Sequence, residues 1–347
     1  MRGSICPIDP QNPDPQSIAR AAAILRAGGL VAFPTETVYG LGADGLNPAA
    51  VARIFEAKER PPTDPLILHI AEPEALSQLV REVPPIAQEL ARRFWPGPLT
   101  LVLPKRPVVP DIVTAGLPTV AVRMPAHPVA LALIRAAQTP IAAPSANRFG
   151  RTSPTTAQHV QDDLGDRIDL ILDAGPTPLG VESTVLDLTP PVPTILRPGG
   201  LTRESLEAIL GPVAIQTQVD EGPMPSPGLL PKHYAPRTPM ILLVGPAPQM
   251  RAALRDLVAR YTAQGHPIGL LIAEEDRLAV AGLPVETAIL GPEGDLEAIA
   301  RRLYEGLREL DARGLSLIIA RDFGEQGLGL AIRDRLTRAS GGRIIRC

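Results

Sequence analysis

The sequence predicts an α/β protein in two parts. Strand-like and helix-like patterns alternate along it, and a proline-dense stretch interrupts that alternation at 211–240. The 347 residues also give each part enough chain to bury its own core.

The first helix runs between Asp14 as N-cap, Pro15 at the first helical position and Gly28 just past the end, with Ile18, Ala21, Ala22 and Leu25 as its apolar stripe. LVAFP (30–34) reads as a buried strand and TETVYGLGADGL as a loop. Asn47 and Pro48 open a second helix, where Val51, Ile54, Phe55 and Lys58 fall at i, i+3, i+4 and i+7. That spacing puts a lysine on the inward face of the last turn. In the strand LILHI, Leu66, Leu68 and Ile70 share one face and Ile67 and His69 the other. Helical patterns at 73–82 and 85–94 lead to the strand LTLVLP. TVAVRMP then sends Val120, Val122 and Met124 one way and Thr119, Ala121 and Arg123 the other. Arg123 must therefore reach water, a ligand or an acid. A helix near 128–137 precedes the short run IAAP, which ends in the polar loop SANRFGRTSPTTA. Further strands are expected at DLILDA, TVLDL and TILRPG, and a helix at 202–210 closed by Gly211.

Residues 211–240 hold seven prolines and little periodicity, so they read as a linker. The pattern restarts with strand MILLV, a helix at about 248–261, strands IGLLIA and VETAI, a helix at about 295–312, strand LSLIIA and a helix at about 328–340. Such alternation implies a small parallel, Rossmann-like α/β domain. The expected division is 1–211, a linker at 212–239 and a second domain at 240–347. Neither GxGxxG after the first strand of that domain nor GxxxxGK[ST] anywhere is present.

Composition bounds the function. With 45% hydrophobic and 20% charged residues, and 34 basic against 37 acidic side chains for a net charge of −3, the chain has an ordinary soluble composition. The slight acidity argues against non-specific nucleic-acid binding as the main task. Cys6 and Cys347, the two cysteines, stand at opposite ends and support neither a disulfide framework nor a cysteine metal site. No run approaches the ~18 apolar residues of a membrane span, and the N-terminus lacks a signal-peptide core. The expectation is a cytoplasmic protein with no membrane association. Proline is abundant, 41 residues, and 31 arginines stand against three lysines, Lys58, Lys105 and Lys232. A lysine kept in so arginine-rich a chain raises the question of whether a compact ammonium is needed there.

By spacing alone, Lys58 and Arg60 in EAKERPP read either as a solvated cap on the helix dipole or, because Lys58 faces inward, as two cations gathered around a polyphosphate. PSAN (144–147) reads either as a turn or as a strand-end loop whose N–H groups and short polar side chains bind an anion. In the second case Ser145, Asn147 and Ser153 share a mouth with Thr119 and Arg123. His69 has no partner at metal-site spacing, so no protein-built metal centre is expected, and any Mg²⁺ would be held mainly by nucleotide phosphates. No GxSxG elbow or Ser-His-Asp arrangement supports covalent catalysis.

Eight ordered segments carry a resemblance. GGLVAFPTETVYGLGADGLN (28–47), KERPPTDPLILHI (58–70), FWPGPLTLVL (94–103), TVAVRMP (119–125), APSANRFGRTSPT (143–155), ESTVLDL (182–188), ILRPG (195–199) and SPGLLPKHYAP (226–236) resemble the threonylcarbamoyl-AMP synthase family in its long form. The resemblance implies a YrdC-like twisted mixed-sheet catalytic domain, a proline-rich linker and a C-terminal α/β domain. It also implies adenylation: L-threonine takes up bicarbonate or CO₂ on its amine, the new carboxylate attacks the α-phosphate of ATP, and threonylcarbamoyl-AMP and pyrophosphate leave. A partner transferase then passes the group to tRNA as N6-threonylcarbamoyladenosine, and contact with tRNA itself is not required.

Carried over by motif, Lys58, Arg60, Ser145 and Asn147 are the implied catalytic residues. Arg60, Asp64, Thr119, Ser145, Ser153, Arg197 and the linker residue Tyr234 are implied to contact ATP. Arg123 is implied to pair with the threonine carboxylate, while Thr37, His69, Ala143 and Ser183 line the amino-acid pocket. Two positions depart from the family pattern: Asp64 stands where Asn is usual, and Leu229, Leu230 and Pro231 where a lysine and an aromatic are common. Two other readings stand beside the enzyme: an RNA-binding or ribosome-maturation factor without chemistry, and carbamoyl transfer to another acceptor.

Overall fold

The alternating apolar runs fold into two sheets in a computed structural model that describes residues 3–216, 224–228 and 233–347. The chain divides into one unit of Met1–Phe149 with Ser153–Leu229 and a second of Gly150–Thr152 with Leu230–Cys347. The proline-dense stretch is thus shared between the units, and three residues just beyond PSAN count with the second. The positions Leu229, Leu230 and Pro231 lie outside the described residues.

The first unit carries β1 (Ser4–Pro7), β2 (Val31–Phe33), β3 (Gly40–Asp44), β4 (Ile67–His69), β5 (Leu99–Pro104), β6 (Thr119–Arg123), β7 (Ile141–Ala142), β8 (Leu170–Asp173), β9 (Thr184–Asp187), β10 (Thr194–Arg197) and β11 (Ala214–Ile215). They pair in the order β1-β8-β2-β3-β7-β4-β6-β5-β9-β10-β11. Parallel pairs such as β4–β6 and β5–β9 alternate with antiparallel ones such as β5–β6 and β9–β10, giving the mixed sheet.

Strand alternation sorts the two faces as the sequence predicts. Leu66, Leu68, Ile70, Val120, Val122 and Met124 join Leu101, Leu103 and Leu186 against the helices Pro48–Lys58 and Pro85–Phe94. On the other face Ile67, Val102, Ala121, Val185 and Leu196 form a small apolar floor of their own. Farther along the sheet, the helices Pro15–Arg26 and Pro128–Ala137 pack on Val31, Phe33, Leu170 and Leu172. The helix starts follow the sequence signals: Asp14 accepts from the Ser17 N–H, and Asn47 from those of Ala49 and Ala50.

Residues 40–44, expected as loop, are strand β3. Glycine hides it: a Cβ on Gly42 would lie 2.8 Å from Ile141 Cγ2 and 2.9 Å from Phe33 Cε1, so close packing, not strand propensity, selects the residue. The pattern at 73–82 is a 3₁₀ turn, Pro73–Ala75, followed by a short helix, Leu76–Leu79.

In the second unit β12 (Met240–Val244), β13 (Ile268–Ile272), β14 (Glu286–Ile289), β15 (Leu317–Arg321) and β16 (Ile344–Arg346) lie parallel in the order β14-β13-β15-β12-β16. Helices Ala247–Ala263, Leu296–Asp311 and Gly329–Ala339 alternate with them. Leu243, Leu254, Val258, Leu270, Ile272 and Ile319 center its separate core. Among the described residues no helix is long and apolar enough to cross a membrane.

Candidate active site

Lys58 ends its helix on the apolar stripe and is 1% exposed, which rules out the solvated-cap reading. Its ammonium donates to the main-chain oxygens of Ser145 and Asn147, 2.5 Å to each. Glu59 follows at φ 55°, a left-handed turn that redirects the chain, and Arg60 is also buried. Arg60 donates to the carbonyls of Asp64 (3.1 Å) and Pro65 (2.6 Å) and pairs with the Asp64 carboxylate at 3.0 Å. Burial and the neighbouring Arg60 charge pull the Lys58 pKa well below its ordinary value. Burial pushes the Asp64 carboxyl up, against the opposing pull of Arg60, Lys58 and Arg197. Two of the three Lys58 N–H donors are spent on these carbonyls.

The PSAN loop joins this cluster to the loop after β2. Gly40 and Ser145 form an antiparallel bridge, and Ala146 N–H donates to the Tyr39 carbonyl at 2.8 Å. In that second loop the Thr35 hydroxyl organises a tight turn, accepting from Thr37 N–H at 3.1 Å and Val38 N–H at 3.2 Å. Arg123 reaches it from the end of β6, donating to the Thr37 hydroxyl at 3.0 Å and pairing with Glu36 at 2.7 Å. Segments from 36–40, 58–64, 123 and 145–147 thus form one connected network. The acid that Arg123 requires is Glu36.

Register places the remaining candidates. His69 lies opposite Arg123 across β4–β6, and Arg123 opposite Thr100 across β5–β6. His69 is 3% exposed, and burial together with the Arg123 charge lowers its pKa to about 3. The imidazole is therefore neutral at any working pH. The Ser183 hydroxyl sits 2.8 Å from that of Thr100, while Arg197 donates to the Ser183 carbonyl at 2.9 Å and to its hydroxyl at 3.2 Å. Ala143 is buried, with its N–H on the Ile67 carbonyl at 2.9 Å. Thr119 begins β6, four residues from Arg123 and so about 13 Å away along the same face. Between them lies the apolar floor of Ile67, Val102 and Ala121. Ser153 is fully buried and donates to Glu182 at 2.5 Å. Tyr234 belongs to the second unit, at φ 58°, its ring under the Arg335 guanidinium at 4.8 Å and beside Tyr304.

Sequence reasoning missed Glu36, Thr100 and Glu182. The alternation in β6 signals that Arg123 needs a partner, but the partner lies 87 positions earlier, where local pattern carries no trace of it.

Comparison with known proteins decides the family. A family model described as "Telomere recombination" matches residues 23–199, and one described as "Threonylcarbamoyl-AMP synthase, C-terminal domain" matches 201–341. The threonylcarbamoyl-AMP synthase of Pyrococcus abyssi is 48% identical over 332 residues, covering 94% of this chain and 94% of its own. The chain belongs to the threonylcarbamoyl-AMP synthase family. The Bacillus subtilis member is likewise 48% identical, over 96% of this chain and 95% of its own. The crystal structure of P. abyssi Sua5 complexed with L-threonine superposes with a TM-score of 0.94 at 46% identity, covering 99% of each chain. The Escherichia coli YciO structure, at 28% identity and TM-score 0.52, covers 57% of this chain and 96% of its own. Membership sets aside the reading as an RNA-binding factor without chemistry.

Proposed function

We propose that this chain joins L-threonine, bicarbonate or CO₂, and ATP into threonylcarbamoyl-AMP, releasing pyrophosphate, in the cytoplasm. The observation that carries the reading is the buried Lys58 ammonium, bound to the backbone of PSAN beside Arg60. Burial penalises the charged form of Lys58, and the negative charge of a bound triphosphate would favour it.

The reaction needs no protein nucleophile. Threonine nitrogen bonds to the carbon of CO₂ and loses a proton, and a carbamate oxygen then attacks the α-phosphorus as the bond to pyrophosphate breaks. Alignment of two anions and compensation of their charge account for the rate. Lys58 and Arg60 hold the phosphates and stabilise the charge on departing pyrophosphate. Ser145, Asn147, Ser153, Thr119 and Arg197 hold the rest of the nucleotide. Arg123 takes the threonine carboxylate, and Thr37, His69, Ser183 and the backbone at Ala143 surround the amino acid.

Mg²⁺ fits this site as an ion carried by ATP. Among the described residues no three His, Cys, Asp or Glu side chains cluster as a cage. Asp64 does offer a buried carboxylate beside Arg60, the hard oxygen donor that Mg²⁺ prefers. Bound there, the ion would neutralise charge on the phosphates. The product is a reactive mixed anhydride, so a transferase acting on tRNA is its natural consumer.

Pyrophosphate release tests the reading. With ATP, Mg²⁺ and bicarbonate, release should depend on L-threonine and not on other amino acids or amines. Release without threonine, or none with it, overturns the proposal.

A further inference from the structure

Glu36 is 94% buried by its 6% exposure, in a turn that Thr35 fixes from within. Its Oε1 pairs with Arg123 Nη2 at 2.7 Å, while Oε2 accepts no hydrogen bond among the described residues. A buried acceptor left in this state costs free energy. Arg123 meanwhile is anchored by two neutral oxygens, the Thr37 hydroxyl at 3.0 Å and the Gly97 carbonyl at 3.3 Å. Those bonds already orient the guanidinium, so tethering alone does not account for a second buried charge. His127 also feels the Glu36 charge, and its ring Nδ1 is occupied in accepting the Val129 N–H at the start of its helix.

We propose that Glu36 and Arg123 together form a receptor for an amino-acid zwitterion, with Arg123 on the α-carboxylate and Glu36 on the α-ammonium. This rests on the threonine pocket described under the proposed function and adds the residue that recognises the amine. A pair with no net charge accepts a ligand with no net charge, so both buried charges are compensated without leaving a surplus. The arrangement also distinguishes the substrate from its carbamate. Once the nitrogen carries a carboxylate, the attraction of Glu36 for that end of the molecule becomes repulsion, which favours movement of the new anion toward Lys58 and Arg60.

The test pairs a change in the protein with a change in the ligand. Isothermal titration of the full-length chain would compare L-threonine with (R)-3-hydroxybutyrate, which keeps the carboxylate, hydroxyl and methyl groups and lacks the amine. A charge-assisted hydrogen bond corresponds to a factor of about 10–100 in affinity. Wild type should prefer threonine by at least that factor, and Glu36→Gln should shrink the preference to less than about fivefold, because it weakens threonine and spares hydroxybutyrate. Equal weakening of both ligands would make Glu36 a structural support for Arg123 and overturn the receptor. If Glu36→Gln does not fold, the wild-type ratio decides by itself: a preference below about fivefold overturns the proposal. Failure of wild type to bind threonine at all would instead sink the underlying assignment of the pocket.

Discussion

Two carbonyl oxygens hold the Lys58 ammonium, so its position is set by backbone. Lys58→Ala should lower turnover by about 10²-fold or more, the scale for losing a group that stabilises transition-state charge. Steady-state pyrophosphate release would check this, and a near-wild-type rate would remove Lys58 from the phosphate site. Arg123→Ala should raise the threonine KM far more than the ATP KM, and equal rises would make Arg123 structural. Asp64 neutralises Arg60, which is also anchored by the carbonyls of Asp64 and Pro65. Asp64→Asn keeps those backbone anchors but breaks a buried pair, so the ligand-free protein should melt earlier while ATP binds more tightly. Thermal shifts with and without ATP would show it. His69 has a folded pKa of about 3 against an ordinary 6.5. Between those values the unfolded chain binds a proton that the folded chain does not, so stability decreases by about 1.4 kcal/mol for each unit that pH is lowered from about 6.5 towards about 3. Above about 6.5 this loss is absent. Urea unfolding at pH 4–7 should show that extra slope in wild type and not in His69→Gln. The inward direction of Lys58 was legible from its stripe, because helical period is a local property. Glu36 was not, because its partner is fixed only by tertiary folding.

The elements divide in the same way. Strands β4 and β6 announce both faces through strict alternation, and their registry, Ile67 to Ala121 and His69 to Arg123, aligns the polar positions at one end. Helices capped by Asp14 and Asn47 are equally readable, since the cap side chain and the first N–H groups are neighbours in sequence. Strand β3 escapes because Gly40, Gly42, Ala43 and Asp44 have weak strand propensity, and only close contact with Phe33 and Ile141 makes Gly42 necessary. Gly42→Ala should therefore cost about 1–3 kcal/mol through overpacking, despite the usual benefit of replacing a strand glycine. A chemical denaturation midpoint unchanged from wild type would mean that Phe33 and Ile141 make way without cost.

At the scale of the whole molecule, the sequence separates two patterned regions but not how the chain is apportioned between their units. Prolines mark 211–240 clearly, whereas nothing near 150 announces that Gly150–Thr152 counts with residues far downstream. Within the second unit Ala235 N–H donates to the Gly150 carbonyl at 2.8 Å, Arg151 bridges with Ala235, and Arg308 donates to the Thr152 carbonyl at 2.6 Å. These three residues lie in sequence between Asn147 and Ser153, both assigned to the nucleotide. A chain ended at residue 229 keeps the first unit's sheet and its three apolar clusters, yet strips 150–152 of those partners. The truncated protein should still bind threonine, because Arg123, Thr37 and His69 keep their surroundings, while its ATP KM should rise by about tenfold or more, the equivalent of roughly 1.4 kcal/mol or one lost hydrogen-bonded anchor. Calorimetric titration with threonine and initial rates against ATP would separate the two effects. Equal loss of both substrates would indicate general unfolding, and unchanged ATP dependence would show that the loop keeps its shape without the second unit.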